Sequence, residues 1–398
     1  MNVIVNLQPL LSPLTGIGHY TRELTNELLR RQATEGDSEL MLEGLTGSKR
    51  ERLSCQHPLL LEASDTSHRD SSAEPGGSKA WQFARRYLRN PLTRRAYRWL
   101  YTQRLKHGGA QQHALYWEPN YILLPWRGRS VVTVHDLSHE RYPECHPAER
   151  VAFFNRHLPA SLERATRINV VSQFTANELR DLHDIDAERI DIVPPAVADR
   201  FCTAPVASEE VALQERYRLP ARYLLSVGTL EPRKNLARVL EAYASLPREQ
   251  QRLTPLLLAG MPGWGEQCWS ASVQRAFDAG TIRRLGYVPS NDLPGLYALA
   301  SGFVYVSLYE GFGMPVLEAM AAGTPVLTAS VTATAEVSAG AGIEVDPLNM
   351  EAIRHGLEQL LEDDHAHRIS LGRERASCFS WSRSADDLLA SFHHAMES

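Results

Sequence analysis

The sequence predicts an α/β protein of two domains, each a parallel sheet with crossover helices, and three observations lead there. At 398 residues the chain is longer than one ordinary hydrophobic core supports. Short apolar runs rich in Val, Ile and Leu alternate with longer helical patterns along it. Strands buried on both faces lose the apolar-polar alternation, and parallel neighbours require a crossover, so this succession marks parallel sheets. Composition is globular, with 43% hydrophobic and 22% charged residues, which excludes disorder as the main state. A net charge of -5 gives the chain no reason to coat nucleic acid, so no nucleic-acid partner is expected and any anion must be held locally. The apolar runs, such as Leu256 to Ala259, fall far short of the roughly 18 residues that span a bilayer.

Taken in order, Met1 to Leu11 has no leader pattern and supplies a first strand, Val3 to Leu7. Cys55, Cys145, Cys202, Cys268 and Cys378 form no C-x-x-C pair, so the expectation is a reduced, cytoplasmic protein without a structural metal. Gly16-Ile17-Gly18 opens a helix near Tyr20, but Thr21 stands where a dinucleotide fingerprint needs its third glycine. An NAD site is therefore disfavoured, while Gly16 and Gly18 still let backbone approach a ligand. Ser64 to Ser78 is rich in Ser, Gly, Asp and Glu and reads as a loop. Lys79 to Lys106 then carries nine Lys or Arg, six aromatic residues and no acid. It is either a surface for an anionic membrane or lipid-pyrophosphate acceptor, or a basic helix pair divided at Pro91.

Strands follow at Val131 to Val134, Arg167 to Val171 and Ile190 to Val193. His135 and Asp136 stand at the carboxyl end of the first of these, where open α/β sheets bind ligands. A lone histidine is more often structural, and Asp136 can orient its ring or start a turn. Asp184 and Asp186 resemble a metal-nucleotide pair but lie in a polar turn, and are rejected as a metal site. Pro194-Pro195 and the irregular Ala196 to Pro205 suit a linker, giving domains 1–196 and 197–379. The helical pattern Ser382 to Met396 comes after the second strand set is complete, so 380–398 is assigned back to the first domain.

In the second domain strands are expected at Tyr223 to Val227, Leu256 to Ala259, Ile282 to Leu285, Phe303 to Ser307, Pro325 to Thr328 and Gly342 to Val345. Two of their loops carry chemistry. After Phe303 to Ser307 come Glu310, Gly311, Phe312, Gly313, Met314 and Pro315, then a short helix ending at Gly323. Backbone N–H groups at a helix start beside the carboxyl end of a strand suit a phosphate, and Glu318, one turn in, can reach a ribose diol. Glu310 precedes the glycines, placed for hydroxyls of whatever the phosphate carries. Singly, Glu310 could cap a turn and Glu318 complement a helix dipole; both together with two glycines and a proline at fixed offsets favour the ligand site. The other loop, L-L-S-V-G-T-L-E-P-R-K-N from Leu224, brings Ser226, Gly228 and Thr229 to Pro232, Arg233 and Lys234 before a helix, a second phosphate-directed loop with fixed charge. Two such loops in one domain suggest a diphosphate.

These motifs together resemble the retaining glycosyltransferase family 4, of GT-B type. They are G-I-G-H-Y from Gly16, V-T-V-H-D-L from Val132, V-V-S-Q-F-T-A-N-E-L from Val170, G-T-L-E-P-R-K-N from Gly228 and the E-x7-E block from Glu310 to Glu318. The resemblance implies two Rossmann-like domains facing across a cleft, and transfer of sugar from a nucleotide-diphosphate donor with no cofactor and no required metal. It implies that Arg233 and Lys234 neutralise the diphosphate, that Glu318 holds ribose, and that Glu310 and the Gly311 to Met314 amides fix the donor sugar. His135 would reach the donor from the first domain, and Tyr287 and Val288 stand where the family packs the base. Thr229 occupies a position where some relatives have glycine or a basic residue. The forms E-P-R-K-N and Y-E-G-F-G-M-P resemble the bacterial branch of mannosyl- and rhamnosyltransferases of O-antigen and exopolysaccharide synthesis. That makes GDP-mannose the first donor expected, and a glycan or polyprenyl-pyrophosphate-linked oligosaccharide the acceptor. The alternatives are a nucleotide-cofactor oxidoreductase, which nicotinamide or flavin binding would reveal, and a non-catalytic sugar-nucleotide-binding partner, which donor turnover would exclude.

Overall fold

The computed structural model describes residues 1–11, 14–34, 40–47, 49–61, 114–264, 269–362 and 364–398. Ser64 to Ser78, Lys79 to Lys106 and Cys268 lie outside the described residues. Two compact units emerge: Met1–Thr133 with Ala160–Ile168 and Leu389–Ser398, and Val134–Pro159 with Asn169–Leu388.

The first unit is built on β1 (Asn2–Asn6), β2 (Met41–Thr46), β3 (Lys49–Arg52), β4 (Ala114–Glu118) and β5 (Ser130–Val134), in the spatial order β3-β2-β1-β4-β5. β1 runs parallel to both β2 and β4, with Ile4 opposite Glu43 and Tyr116; β3 alone is antiparallel, on β2. Val3, Val5, Leu115, Trp117 and Val132 are fully buried, and Leu24 and Leu28 of the helix Gly16–Thr34 are buried too. Trp117 donates to Thr133 Oγ1 at 3.0 Å and meets Phe392 of the C-terminal segment edge-on at 5.9 Å. The helix starts at Gly16 and not near Tyr20, so both glycines lie in its first turn. A Cβ on Gly18 would stand 2.7 Å from Leu14 Cδ2 and 3.1 Å from the Pro9 carbonyl, whereas one on Gly16 would meet nothing within 4 Å.

Next in the chain are β6 (Arg167–Val170) and β7 (Ile190–Ile192), and Val193 N–H donates to Val170 O at 2.8 Å. The second unit's main sheet is parallel throughout, with β8 (Leu224–Val227), β9 (Leu256–Ala259), β10 (Ile282–Gly286), β11 (Gly302–Tyr305), β12 (Val326–Ala329) and β13 (Ile343–Val345). Its order is β10-β9-β8-β11-β12-β13. Because successive residues of a strand face opposite sides, Leu224, Leu256, Leu258, Val304 and Leu327 join one core with Val239, Val273, Ile353 and Leu357 of the helices Leu236–Ala244, Ala271–Asp278 and Met350–Leu360. Phe303 and Tyr305 take the other side, where the ring of Tyr297 lies 5.1 Å from Phe303, and Phe303 stacks 5.8 Å from Tyr305. The parallel arrangement brings all the carboxyl ends, and the loops after them, to one edge of this sheet.

Candidate active site

The loop after β11 turns by way of glycine. Gly313 has φ +102 as the N-cap of the helix Met314–Ala322, Pro315 sits in its first turn, and Gly323 (φ +80) ends it by returning its N–H to Ala319 and Met320 carbonyls. Among the described residues the N–H groups of Gly311, Phe312, Gly313 and Met314 meet no acceptor. The Phe312 side chain is buried, edge-on to Phe379 at 5.5 Å, so that residue offers the site its backbone. Gly311 is fixed by crowding: a Cβ there would stand 1.7 Å from the His135 carbonyl oxygen and 2.8 Å from Asp136 Cβ. Ser172 explains the V-V-S-Q-F-T stretch. It caps the helix Gln173–His183 by accepting from Thr175 N–H at 3.0 Å, and donates to Gly311 O at 2.6 Å.

The loop after β8 forms a single 3-10 turn at Pro232–Lys234, and Asn235 (φ +57) then starts the next helix, its side-chain amide donating to Val306 O and Pro347 O. Gly228 has φ +142, and Ser226, Gly228, Thr229, Lys234 and Tyr305 line one small cavity. Arg233 donates to Glu310 Oε2 at 2.8 Å, to Tyr309 O at 2.7 Å and to Glu231 Oε1 at 2.7 Å. Lys234 Nζ donates to Glu310 Oε1 at 2.7 Å, contacts the Tyr305 hydroxyl, and stands 4.6 Å over the Tyr305 ring. The Tyr305 hydroxyl donates to Glu310 Oε1 at 3.0 Å. One carboxylate thus bridges two cations.

Burial alone would raise the Glu310 carboxyl, but Arg233 and Lys234, by charge and by hydrogen bond, outweigh it and hold it at about 2. For Asp136 burial also works upward, and the Arg233 charge with two hydrogen bonds from Ser138 brings it below the ordinary carboxyl value. Glu318 goes the other way. Burial raises it to about 7 against a 2.9 Å hydrogen bond from Tyr297 and the charge of Arg200. Tyr287 is 68% exposed just after β10, while Val288 is buried. Asp184 and Asp186 turn out to be caps, the first in a left-handed turn (φ +51) ending a helix, the second accepting Glu188 N–H at 3.0 Å.

The structure therefore gathers Arg233, Lys234, Glu310, the Gly311 to Met314 amides, His135 and Asp136 in one unit. Glu318 stands one turn along the same helix, and Gly16 and Gly18 belong to the other unit. Sequence reasoning missed Tyr305, Glu231, Tyr309 and Ser172. Ser172 carried a usable signal, a serine at a strand-to-helix junction; Tyr305 had none, since a buried parallel strand shows no period.

Residues 212–375 match the family model of glycosyl transferases group 1, and residues 73–200 that of glycosyltransferase family 4. Over 385 residues, 96% of this chain and 96% of the relative, the sequence is 36% identical to the O-antigen chain mannosyltransferase B of Escherichia coli. The chain belongs to the group 1 glycosyltransferases. This glycosyltransferase is also 31% identical over 284 residues to the serotype-specific mannosyltransferase WbdA of Escherichia coli, a match covering 69% of the chain and 34% of WbdA. Its fold is that of WaaG, a glycosyltransferase involved in lipopolysaccharide biosynthesis, at a TM-score of 0.64 and 19% identity over 97% of this chain and 98% of WaaG. The α/β expectation and the family resemblance both hold. Among the described residues no helix is long and apolar enough to cross a membrane.

Proposed function

We propose that this glycosyltransferase moves a mannosyl group, with retention of configuration, from GDP-mannose to a glycan or polyprenyl-pyrophosphate-linked oligosaccharide in bacterial O-antigen or exopolysaccharide synthesis. The observation that carries the reading is the pair Arg233 and Lys234, held 2.8 and 2.7 Å from one carboxylate beside a helix start whose amides meet no acceptor among the described residues. Fixed charge and oriented N–H groups are what a departing diphosphate requires, and stabilising that leaving group is the main catalytic demand of such a transfer. Paired acid and base carboxylates of the glycosidase kind are not needed. In this reading Glu318 takes the ribose, Tyr287 and Val288 the base, and Glu310 the sugar hydroxyls. His135, Asp136, Ser226, Gly228 and Thr229 complete the donor site. Gly16 and Gly18 serve the acceptor side. Residues 1–196 with 380–398 form the acceptor domain and 197–379 the donor domain. The mannosyl assignment is supported by the names of the Escherichia coli relatives. We place the enzyme in the cytoplasm, with Lys79 to Lys106 attaching it to the inner face of the membrane.

The test is incubation of the purified chain with GDP-mannose and a mannose-terminated acceptor, alongside UDP-, ADP- and TDP-sugars, with the anomeric configuration of the product read by NMR. Transfer from GDP-mannose with the donor's configuration is expected. Transfer from another nucleotide alone corrects the donor, an inverted product overturns the mechanism, and binding without turnover leaves the non-catalytic alternative.

A further inference from the structure

The two glutamates of the E-x7-E block are each held by a tyrosine hydroxyl, and both tyrosines pack on the ring of Phe303, Tyr305 stacked on it and Tyr297 edge-on to it. Tyr305 donates to Glu310 Oε1 at 3.0 Å and Tyr297 to Glu318 Oε2 at 2.9 Å. Phe303 lies between them, 5.8 Å from Tyr305 and 5.1 Å from Tyr297. All three rings are at most 4% exposed, so the hydroxyls are fixed by packing. The same Tyr305 hydroxyl also touches Lys234 Nζ.

Glu310 occupies the two cations, Arg233 and Lys234, that a donor diphosphate needs. An entering diphosphate competes with this carboxylate, and once it takes the cations Glu310 loses its charged partners. A neutral O–H donor is not drawn away by the incoming phosphates as an ammonium would be.

We propose that Tyr305 is a positioning residue for glycosyl transfer: its hydroxyl keeps Glu310 in place when Lys234 and Arg233 turn to the donor diphosphate, so that the carboxylate stays aimed at the donor sugar. The proposal rests on the reading above that these two cations receive a diphosphate. Tyr297 holds Glu318 by its own hydroxyl, and packing of both tyrosines on Phe303 ties the positions of the two carboxylates together.

The experiment compares wild type with Tyr305→Phe, which keeps the ring, and Glu310→Gln, which removes the competing charge. Tyr305→Phe should lower kcat by about tenfold or more while the donor KM and the Kd for free GDP stay within about twofold of wild type. Glu310→Gln should tighten binding of inorganic pyrophosphate, read by calorimetry, although it lowers turnover. An unchanged kcat in Tyr305→Phe, or an equal loss in kcat and GDP affinity, overturns the positioning role. If Tyr305→Phe does not fold, the Glu310→Gln titration still decides: pyrophosphate affinity no greater than wild type removes the competition on which the role depends. Wild type that binds neither pyrophosphate nor GDP overturns the diphosphate reading itself, a different result from wild type that binds both.

Discussion

Glu310 and Glu318 lie eight positions apart yet end at about 2 and about 7, because the charges and hydrogen bonds of two cations outweigh burial at the first, whereas burial outweighs the Tyr297 hydrogen bond and the Arg200 charge at the second. At neutral pH Glu310 is an anion matched to cations, while Glu318 sits at its titration point. The two should therefore fail differently. Glu318→Ala should weaken binding of free GDP, whereas Glu310→Ala should depress turnover more than nucleotide affinity; equal losses of GDP affinity in parallel titrations would contradict the assignment. Glu318 also predicts a pH effect. As pH rises through about 7 its carboxylate forms and accepts hydroxyls more strongly, so GDP affinity should rise between pH 6 and 8 more in wild type than in Glu318→Gln, with the nucleotide's own ionisation common to both. Lys234→Ala removes a charge-assisted contact and should lower kcat/KM by an amount equivalent to about 2 kcal/mol or more. In the other unit Glu118 is buried among Asn6, Tyr116 and Asn120, which donate to it at 2.7, 2.9 and 3.2 Å, and burial outweighs them to raise it to about 8. A raised carboxyl contributes stability that is complete below its ordinary pKa and is lost as pH climbs through about 8. Glu118→Gln keeps an acceptor without the ionisable proton. It should raise the melting temperature at pH 8, on the order of a few kcal/mol in stability, and give no gain at pH 4.5.

At the scale of elements, the site is made by loops that cross one another too closely for side chains. A Cβ on Gly260, whose φ is +152, would stand 1.9 Å from the Gly228 carbonyl oxygen, and that oxygen belongs to the backbone leading to Arg233 and Lys234. Backbone cannot swing aside as a side-chain end can. Gly260→Ala should cost about 2–4 kcal/mol in denaturant titration and weaken GDP binding in whatever fraction folds; wild-type stability and affinity would show that the loop tolerates a shift. This crossing also shows what the sequence made legible. Glycine, proline and charge clustered after an apolar run are local signals, so the loops at Gly228 to Lys234 and Glu310 to Gly323 could be read from order alone, as could the six strands of the second unit to within a residue or two at each end. Three strands of the first unit escaped notice. β3 is Lys-Arg-Glu-Arg, with no apolar residue, and exists because antiparallel pairing to β2 at the sheet edge satisfies its backbone; β2 is interrupted by Gly44, and β4 reads Ala-Leu-Tyr-Trp-Glu without a β-branched residue. Tyr305 escaped for another reason: its importance lies in partners five and seventy-one positions away, which no local pattern reports.

At the scale of the molecule, the net charge of -5 works against anion binding, so the proposed hold on a diphosphate depends on how the second unit concentrates two cations and a run of amides at one sheet edge. Such a site links ligand to stability. A ligand that binds only the folded form stabilises it by RT ln(1 + [L]/Kd), about 2.7 kcal/mol at a hundredfold excess over Kd, which shifts a melting transition by several degrees. A thermal-shift series with GDP, UDP, ADP and TDP should show GDP giving the largest rise, and Lys234→Ala should abolish most of it, because the diphosphate contributes to every nucleotide while the base sets the order. Two units need not unfold together, so the shift should be read on the transition that responds to Gly260→Ala, a substitution within the second unit. A series in which all four nucleotides shift that transition equally would place recognition in the diphosphate alone and withdraw Tyr287 and Val288 from the base site. No shift with any nucleotide, in a protein that still melts cooperatively, would withdraw the donor site.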